Sequence, residues 1–153
     1  LIDPSRLDVA KRLSQRVKKR AAFRPYACSV AEHEVSRLFL DSHSSRSEAA
    51  RWMQVSCRVQ QDAKKLLRAA MHVDGTTRPH VCLEQDNPRL HRLLAEFGKR
   101  KGLAALLNTS LNERGMPMVN GAVEALLMFI RSDMDMLVIN DTALTKEKSD
   151  AET

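Results

Sequence analysis

Residues 87–115 constrain the fold of this chain more than any other segment. Asn87 and Pro88 combine a helix N-cap with the residue best suited to the first helical position. The apolar residues that follow have the i, i+3, i+4 and i+7 spacing of one helix face: Leu90, Leu93, Leu94 and Phe97. Gly102 ends this pattern, and residues 103–107 form an apolar run typical of a buried strand. The segment therefore predicts a helix that leads directly into a sheet.

The remainder of the chain alternates between helical and extended patterns. Helices are predicted at residues 5–20, at 31–40 and from an N-cap at Asn120, and strands at 26–30, 53–59, 69–73, 80–83 and 136–139, the last one buried. The serine-rich residues 41–50 lack periodicity and predict a loop, and residues 145–153 predict a polar tail. Strands that alternate with helices predict an α/β fold with a mixed sheet, formed by a single domain over residues 1–144.

Composition limits the classes of function. With 153 residues, 43% of them hydrophobic and 29% charged, the chain is typical of a soluble globular domain. A net charge of +6 favours partners that carry phosphate, whereas an aromatic content of 4% leaves few platforms for stacking single-stranded nucleic acid. No apolar run approaches the roughly 20 residues that span a bilayer. We therefore expect a cytoplasmic protein without a membrane partner.

The cysteines and histidines do not predict a metal site. The three cysteines, at positions 28, 57 and 82, are odd in number and widely spaced, which favours free thiols in a reducing compartment. The five histidines lack the spacing of metal ligands. We therefore expect no bound metal in this chain.

A polar stretch follows the strand predicted at 103–107. Residues 108–115 contain five side chains with neutral or acidic hydrogen-bonding groups, one cation and a closing glycine, which makes them poor core material. Open α/β sheets place their ligands in loops at strand ends, so this stretch is a candidate binding loop. From composition alone, an ordinary polar turn is the alternative interpretation.

A basic block lies at the end of the first predicted helix. Four cations fall within seven residues: Lys18, Lys19, Arg20 and Arg24. Positions 18 and 20 cannot share a helix face, whereas an extended segment would place both on one side. Pro25 biases the residue before it toward extended geometry. The cations then converge on an anion site; the alternative is a solvated helix terminus, where the helix dipole favours basic residues.

Three blocks of sequence resemble a known family. Residues 18–27 are close to K-x-R-x-x-[F/Y]-R-P-[F/Y]-A, residues 72–78 to H-V-D-G-T-x-R, and residues 108–117 to N-T-S-x-N-x-[R/K]-G-x-P. In this order and spacing, the chain resembles the C-terminal domain of NodU/CmcH-type carbamoyltransferases over about residues 1–141. It departs from the family pattern at His80, where Gln is usual, and at Met116, where Glu is common.

The resemblance implies a fold and an activity. This domain of the family is similar to the YrdC-like fold of threonylcarbamoyl-adenylate synthases, a twisted mixed sheet flanked by helices. Their K-x-R and S-x-N tetrad corresponds to the implied catalytic residues Lys18, Arg20, Ser110 and Asn112. The family implies that ATP with Mg²⁺ and carbamoyl phosphate form carbamoyl adenylate here. A separate actin/Hsp70-like N-terminal domain, which would hold iron or another metal, would then transfer the carbamoyl group to an acceptor.

The resemblance also implies roles for individual side chains. Lys18 would act as a point charge on a transferring phosphate, and Arg20 would bind phosphate through its guanidinium fork. Ser110 and Asn112 would hydrogen-bond the phosphates and the carbamoyl group. Asp74 is interpreted as a turn former. The implied substrate-binding residues are Arg24, His72, Thr76, Arg78, Asn108 and Arg114. The residues expected to line one pocket are Lys18, Arg24, Arg78 and Ser110.

Two other functions stay open at this point. A basic chain of this size also fits a double-stranded RNA or nucleotide-binding module without catalysis, although RNA binders need extended basic coverage. A domain that only docks onto its partner domain is the other possibility. The candidate residues cluster in three loops that would converge on one small pocket. This clustering favours a nucleotide-sized ligand, and nucleic acid is not expected as a partner.

Overall fold

A computed structural model describes residues 1–21 and 24–146 of the chain. Helices and strands alternate along the sequence, and three of the strands form a mixed sheet. This arrangement confirms the predicted α/β class. Contacts between residues divide the described chain into two compact units. The first contains residues 1–10 and 24–109, and the second contains residues 11–21 and 110–146. The predicted tail from residue 147 onward lies outside the described residues.

The described residues form α-helices, β-strands and short 3-10 and π-helical turns. The helices are α1 (Leu7–Arg12), α2 (Val35–Leu38), α3 (Ser42–Ser45), α4 (Glu48–Arg51), α5 (Pro88–Lys101) and α6 (Ala122–Arg131). The strands are β1 (Ala27–Ala31), β2 (Cys57–Arg58), β3 (Thr76–Thr77), β4 (Pro79–Cys82), β5 (Ala105–Asn108), β6 (Met136–Ile139) and β7 (Thr142–Thr145). A π-helical turn, Leu13–Val17, follows α1, and 3-10 turns are formed by Glu32–Glu34 and Gln61–Ala63. Within these described residues, no helix is long and apolar enough to cross a bilayer.

The central sheet of the first unit has the strand order β4-β1-β5. β1 pairs in parallel with β4 and antiparallel with β5, and all five of its residues are buried. Side chains alternate between the two faces of a sheet, so Ala31, Cys82 and Leu106 share one face. These three side chains form a buried cluster with Leu94 of α5. The helix therefore covers this face of the sheet and closes the core there.

α5 begins and ends where the sequence predicts. The side-chain oxygen of Asn87 accepts a hydrogen bond from the Leu90 N–H at 3.0 Å, and Gly102 ends the helix in the left-handed conformation with a φ of 73°. Gly98 faces Ala104 so closely that a Cβ on the glycine would lie 2.8 Å from the alanine Cβ. The missing side chain thus allows the helix to approach the segment that leads into β5.

Residues 41–50 were predicted as a loop, and that prediction is wrong because they contain the short helices α3 and α4. Local hydrogen bonds from hydroxyl groups hold these turns. Ser45 Oγ donates to the Asp41 carbonyl and Ser47 Oγ donates to the Ser44 carbonyl, each at 2.7 Å. Helices of one turn are too short to show an apolar period, so periodicity could not detect them.

Two strand predictions in the first unit also fail in part. Residues 69–73 contain turns and irregular backbone but no strand, and β3 begins only at Thr76, where it pairs antiparallel with β2. Of the strand predicted at 53–59, only the two residues of β2 are extended in a sheet. The backbone of Met53 has a φ of 57°, a left-handed conformation that a strand cannot include.

In the second unit, α6 packs against the antiparallel hairpin of β6 and β7. Phe129 and Leu137 belong to the buried cluster between them. β6 was predicted as a buried final strand, but Leu137 is its one buried residue and β7 follows it. The helix N-cap is Gly121 instead of Asn120, whose backbone N–H donates to the Glu124 carboxylate at 2.7 Å.

Gly98→Ala is expected to lower the free energy of unfolding by about 1–3 kcal/mol, because the added methyl group overpacks the contact with Ala104. A gain in helix propensity of about 1 kcal/mol offsets part of this loss. A urea titration measures the change. The wild-type chain is the reference, because the same exchange at Gly121 would remove a favoured residue from the N-cap of α6. An unfolding midpoint for Gly98→Ala at or above that of the wild-type chain would contradict the close approach of α5.

Candidate functional site

The K-x-R block lies where the first helical segment widens and ends. The Lys18 N–H donates to the Leu13 carbonyl at 2.8 Å, the spacing of a π-helix, and the Arg20 N–H donates to the Ser14 carbonyl at 3.0 Å. Lys19 between them is left-handed, with a φ of 45°. The block is therefore a turn at a helix C-terminus and not the extended segment that the sequence predicted. π-helical turns of this kind are frequent at functional sites.

The side chain of Lys18 is buried, with 7% of its residue surface exposed, and its ammonium group reaches the loop that contains the S-x-N block. Nζ donates to the backbone carbonyls of Ser110 and Asn112 at 2.8 and 2.7 Å. It also lies 3.3 Å from Ser110 Oγ and 2.5 Å from Asn112 Oδ1. An ammonium group has three hydrogens, and these four neutral oxygens compete for them. Two blocks that are 92 residues apart in sequence thus meet in one contact.

Further hydrogen bonds order the same loop. Ser110 Oγ donates to Asn112 Oδ1 at 2.7 Å, and Asn112 Nδ2 donates to the Met116 carbonyl at 2.9 Å. A buried ammonium group requires hydrogen bonds, and each hydrogen bond to a charged group contributes about 1.5–3 kcal/mol. Lys18 therefore stabilises the shape of residues 110–116.

The second unit holds two further cations of the predicted site. Arg20 is half-buried, and Arg114 is exposed beside Gly115, which has a φ of 78°. Arg114 makes no hydrogen bond or ion pair with any other described residue, so its guanidinium group is available to an anion. Contact of Lys18, Arg20 and Arg114 with phosphate stays a prediction.

The second sequence block forms a tight turn in the first unit. Asp74 Oδ1 accepts hydrogen bonds from the Thr76 backbone N–H at 2.9 Å and from the Thr76 hydroxyl at 2.7 Å, and that hydroxyl lies 3.1 Å from His72 Nδ1. The Thr76 hydroxyl holds the pKa of Asp74 below its usual value. Asp74 is therefore a charged turn former, as predicted. Arg78, which follows the turn, is exposed and makes no hydrogen bond or ion pair within the described part of the chain.

A polar row crosses the central sheet of the first unit. Ser29 of β1 is fully buried, and its Oγ lies 3.0 Å from His80 Nδ1 on β4 and 3.0 Å from Asn108 Nδ2 on β5. Asn108 Nδ2 also lies 3.8 Å from the sulfur of Met53. Burial lowers the pKa of His80. Asn108 was a candidate from sequence, but Ser29 was missed, although a lone polar residue inside the apolar run 26–31 was an available signal.

The three cysteines are free thiols, and all three are buried. Burial raises the pKa of Cys28 to about 12 and that of Cys57 to about 11. Because the thiolate is the reactive form, neither side chain is a nucleophile near neutral pH. Among residues 1–21 and 24–146, no group of three or more His, Cys, Asp or Glu side chains is arranged to hold a metal ion.

Comparison with known proteins identifies the family of this α/β domain. Residues 1–146 match the sequence model of the family described as carbamoyltransferase C-terminus. The chain is 33% identical to nodulation protein NolNO of Sinorhizobium fredii over 152 residues, which are 99% of this chain and 22% of that protein. It is 29% identical to 3'-hydroxymethylcephem-O-carbamoyltransferase of Amycolatopsis lactamdurans over 126 residues, which are 82% of this chain and 23% of that enzyme.

A third relative gives the same result. The chain is 33% identical to nodulation protein NolO of Bradyrhizobium diazoefficiens over 146 residues, which are 95% of this chain and 26% of that protein. The chain therefore belongs to the carbamoyltransferase C-terminus family, and it corresponds to between 22% and 26% of the length of these three relatives. The resemblance found in the sequence blocks is confirmed.

The structure brings together part of the predicted site. Lys18, Ser110 and Asn112, three residues of the tetrad, contact one another. Arg24 is exposed and belongs, with Arg78, to the first unit. The prediction that both arginines line one pocket with Lys18 stays a prediction.

Lys18→Met is expected to loosen residues 110–116, because methionine keeps an unbranched apolar stem but removes the ammonium group. Loss of one charged hydrogen bond corresponds to about a 10- to 150-fold change in the opening equilibrium. Hydrogen–deuterium exchange of the amides in this loop measures the effect. Lys19→Met is the matched control, since it removes the same charge from an exposed neighbour. Unchanged exchange in Lys18→Met would contradict the ordering role.

Proposed function

We propose that this chain is the substrate-activating part of an O-carbamoyltransferase, in which ATP and carbamoyl phosphate form carbamoyl adenylate. The observation that supports it most is the contact of Lys18 with Ser110 and Asn112, because it joins the two blocks of the tetrad. Membership of the carbamoyltransferase C-terminus family supports a role in carbamoyl transfer.

Formation of carbamoyl adenylate needs positioned charges more than covalent help from the protein. In the proposed reaction, water cleaves carbamoyl phosphate to carbamate and phosphate. A carbamate oxygen then attacks the α-phosphorus of ATP, the bond from that phosphorus to the bridging oxygen breaks, and pyrophosphate leaves. Such a reaction depends on orientation of the reactants and on neutralisation of negative charge. Mg²⁺ bound to the phosphates of ATP would neutralise part of that charge.

The second unit offers groups for the polyphosphate. Arg114 is exposed, and a guanidinium group can bind phosphate through two parallel hydrogen bonds. Arg20 would supply a second cation. In this proposal, Lys18 holds the loop so that the exposed Ser110 and its neighbour Asn112 are presented to the ligand. The loop is thus fixed before the nucleotide binds, which reduces the entropy cost of binding.

The first unit offers groups for carbamoyl phosphate. Arg78 is exposed at the end of a turn that is held by the hydrogen bonds of Asp74, Thr76 and His72. A guanidinium group on such a turn can bind the phosphate or the planar carbamoyl end. Arg24 would provide a further cation. The support for these roles is the resemblance of the three sequence blocks to the family pattern.

Transfer to an acceptor hydroxyl belongs, in this proposal, to another part of a longer protein. The matched segment is 22% to 26% of the length of the nodulation and cephem relatives, which leaves room for an N-terminal transfer domain in proteins of this type. A domain of the actin/Hsp70 type, with its own metal, is the proposed partner.

Arg24→Ala is expected to weaken binding of ATP or carbamoyl phosphate about 10- to 150-fold, because a hydrogen bond to a charged group is lost. Calorimetric titration with each ligand measures this change, and a urea titration separates it from any loss of folding. Arg92→Ala, an exposed arginine on α5 outside the three blocks, is the control. Tight, salt-sensitive binding of duplex RNA with no response to either ligand would favour the RNA-binding alternative and overturn the proposal.

The chain alone is expected to release pyrophosphate from ATP when carbamoyl phosphate and Mg²⁺ are present, and Lys18→Ala should abolish the release. It should not carbamoylate a 3'-hydroxymethylcephem, the acceptor in the name of two relatives. Parallel assays of pyrophosphate and of carbamoylated product test both statements. Carbamoylation of the acceptor by this chain alone would contradict the proposal that another part of a longer protein carries out the transfer.

A further inference from the structure

We propose that Asn108 selects the carbamoyl group of the substrate by accepting a hydrogen bond from the NH₂ of that group. Ser29 and His80 are positioning residues that orient Asn108 for this contact. The inference rests on the proposed function in one respect, that carbamoyl phosphate is a substrate. It is carried by the polar row on the central sheet, whose three side chains lie on neighbouring strands.

The Ser29 hydroxyl fixes the direction of the hydrogen bonds in this row. Asn108 Nδ2 carries hydrogens and no acceptor, so Ser29 Oγ accepts from it at 3.0 Å. Ser29 is fully buried, and among the described residues its hydroxyl hydrogen-bonds with Asn108 and His80 alone. Its own hydrogen therefore goes to His80 Nδ1 at 3.0 Å. This arrangement holds His80 as the neutral tautomer with its hydrogen on Nε2.

The row leaves one polar atom of Asn108 open. One hydrogen of Nδ2 is donated to Ser29, and the other lies near the Met53 sulfur at 3.8 Å. Asn108 Oδ1 accepts no hydrogen bond from any other described residue, and the side chain is half-buried at the end of β5. Met53 has a left-handed backbone, with a φ of 57°, a conformation that persists where the surrounding fold imposes it. Both nitrogen hydrogens are thus directed at groups of the protein, and Oδ1 is left to receive an N–H or O–H from a ligand.

An acceptor oxygen in this place distinguishes an amino group from a methyl group. Carbamoyl phosphate and acetyl phosphate have nearly the same shape and the same phosphate, but one carries NH₂ where the other carries CH₃. The NH₂ group can donate to Oδ1, whereas the methyl group would cover that oxygen without a hydrogen bond. Sites built around such a contact reject the analogue that lacks the donor. The ribose hydroxyls of ATP are donors too, so the test must also include titrations with nucleotides that lack one of these hydroxyls.

Calorimetric titrations with carbamoyl phosphate and acetyl phosphate measure the selectivity. We expect the wild-type chain to prefer carbamoyl phosphate by about 10-fold or more. Asn108→Ala should remove this ratio while the affinity for inorganic phosphate is kept. The same variant is titrated with ATP, 2′-deoxy-ATP and 3′-deoxy-ATP. If Asn108→Ala removes a preference for ATP over a deoxy form but keeps the preference for carbamoyl phosphate over acetyl phosphate, the donor is a ribose hydroxyl. That result would overturn the carbamoyl assignment.

Two substitutions at His80 test the positioning role without the loss of a buried side chain at Ser29. His80→Gln should keep the selectivity ratio, because the glutamine carbonyl can accept from the Ser29 hydroxyl. His80→Leu should lose most of the ratio, because the hydroxyl then has no acceptor. Urea titrations of both variants identify any loss of folding. Equal ratios in His80→Gln and His80→Leu would overturn the positioning role.

Nitrogen-15 NMR of the histidine ring tests the orientation in the absence of ligand. The expected form of His80 is the tautomer with hydrogen on Nε2. The other tautomer would mean that His80 donates to Ser29 and that Asn108 is turned with Oδ1 toward the hydroxyl, which overturns the inference. A wild-type chain that binds carbamoyl and acetyl phosphate equally overturns it as well but leaves the proposed function standing. A chain that binds neither overturns both.

Discussion

The burial of one ammonium group organises the second unit. Lys18 is separated from water by its own helix end and by the loop that surrounds Nζ with four oxygens. Without such hydrogen bonds, a buried charge would be strongly destabilising, so the helix end and the loop must keep a matching geometry. A lysine suits this place better than an arginine, because the oxygens converge on a single point. An ammonium group is a compact charge with three donors, whereas a guanidinium group is a flat fork that fits a carboxylate or phosphate.

One face of the central sheet in the first unit carries both a buried apolar cluster and a row of polar side chains. Under α5, this face carries the apolar cluster that includes Ala31 and Cys82. The same face also carries Ser29 and His80, which lie two residues before Ala31 and Cys82 on their strands, and Asn108, which lies two residues after Leu106. The cost of burying the Ser29 hydroxyl is offset because both of its neighbours hydrogen-bond with it. The rigid apolar half therefore fixes the strands that hold the polar half, as precise sites on regular elements require.

The elements with long or combined local signals were predictable from sequence. α5 combines an N-cap, a first-turn proline, a full apolar period and a C-terminal glycine, so both of its ends were predictable. The contact of Lys18 with Ser110 joins segments that are 92 residues apart, and no local pattern predicts such a contact. The π-helical turn before Lys18 could not be read from sequence, because its residues have ordinary helical spacing and only hydrogen bonding distinguishes it. Ser29 was missed for a related reason, since its partners lie on two other strands.

The charges around the first helical segment bear on the choice between a small anionic ligand and duplex RNA. Arg12 is paired with Asp135, and Arg16 is paired with Asp133 at 3.2 Å. Exposed ion pairs of this kind contribute little stability, but they neutralise two cations on the helix that leads to Lys18. Duplex RNA needs a continuous row of cations to displace counterions along its backbone. These pairs leave two fewer unpaired cations for such a row within the second unit, which is one reason to propose a single phosphate group as the ligand of the exposed Arg114.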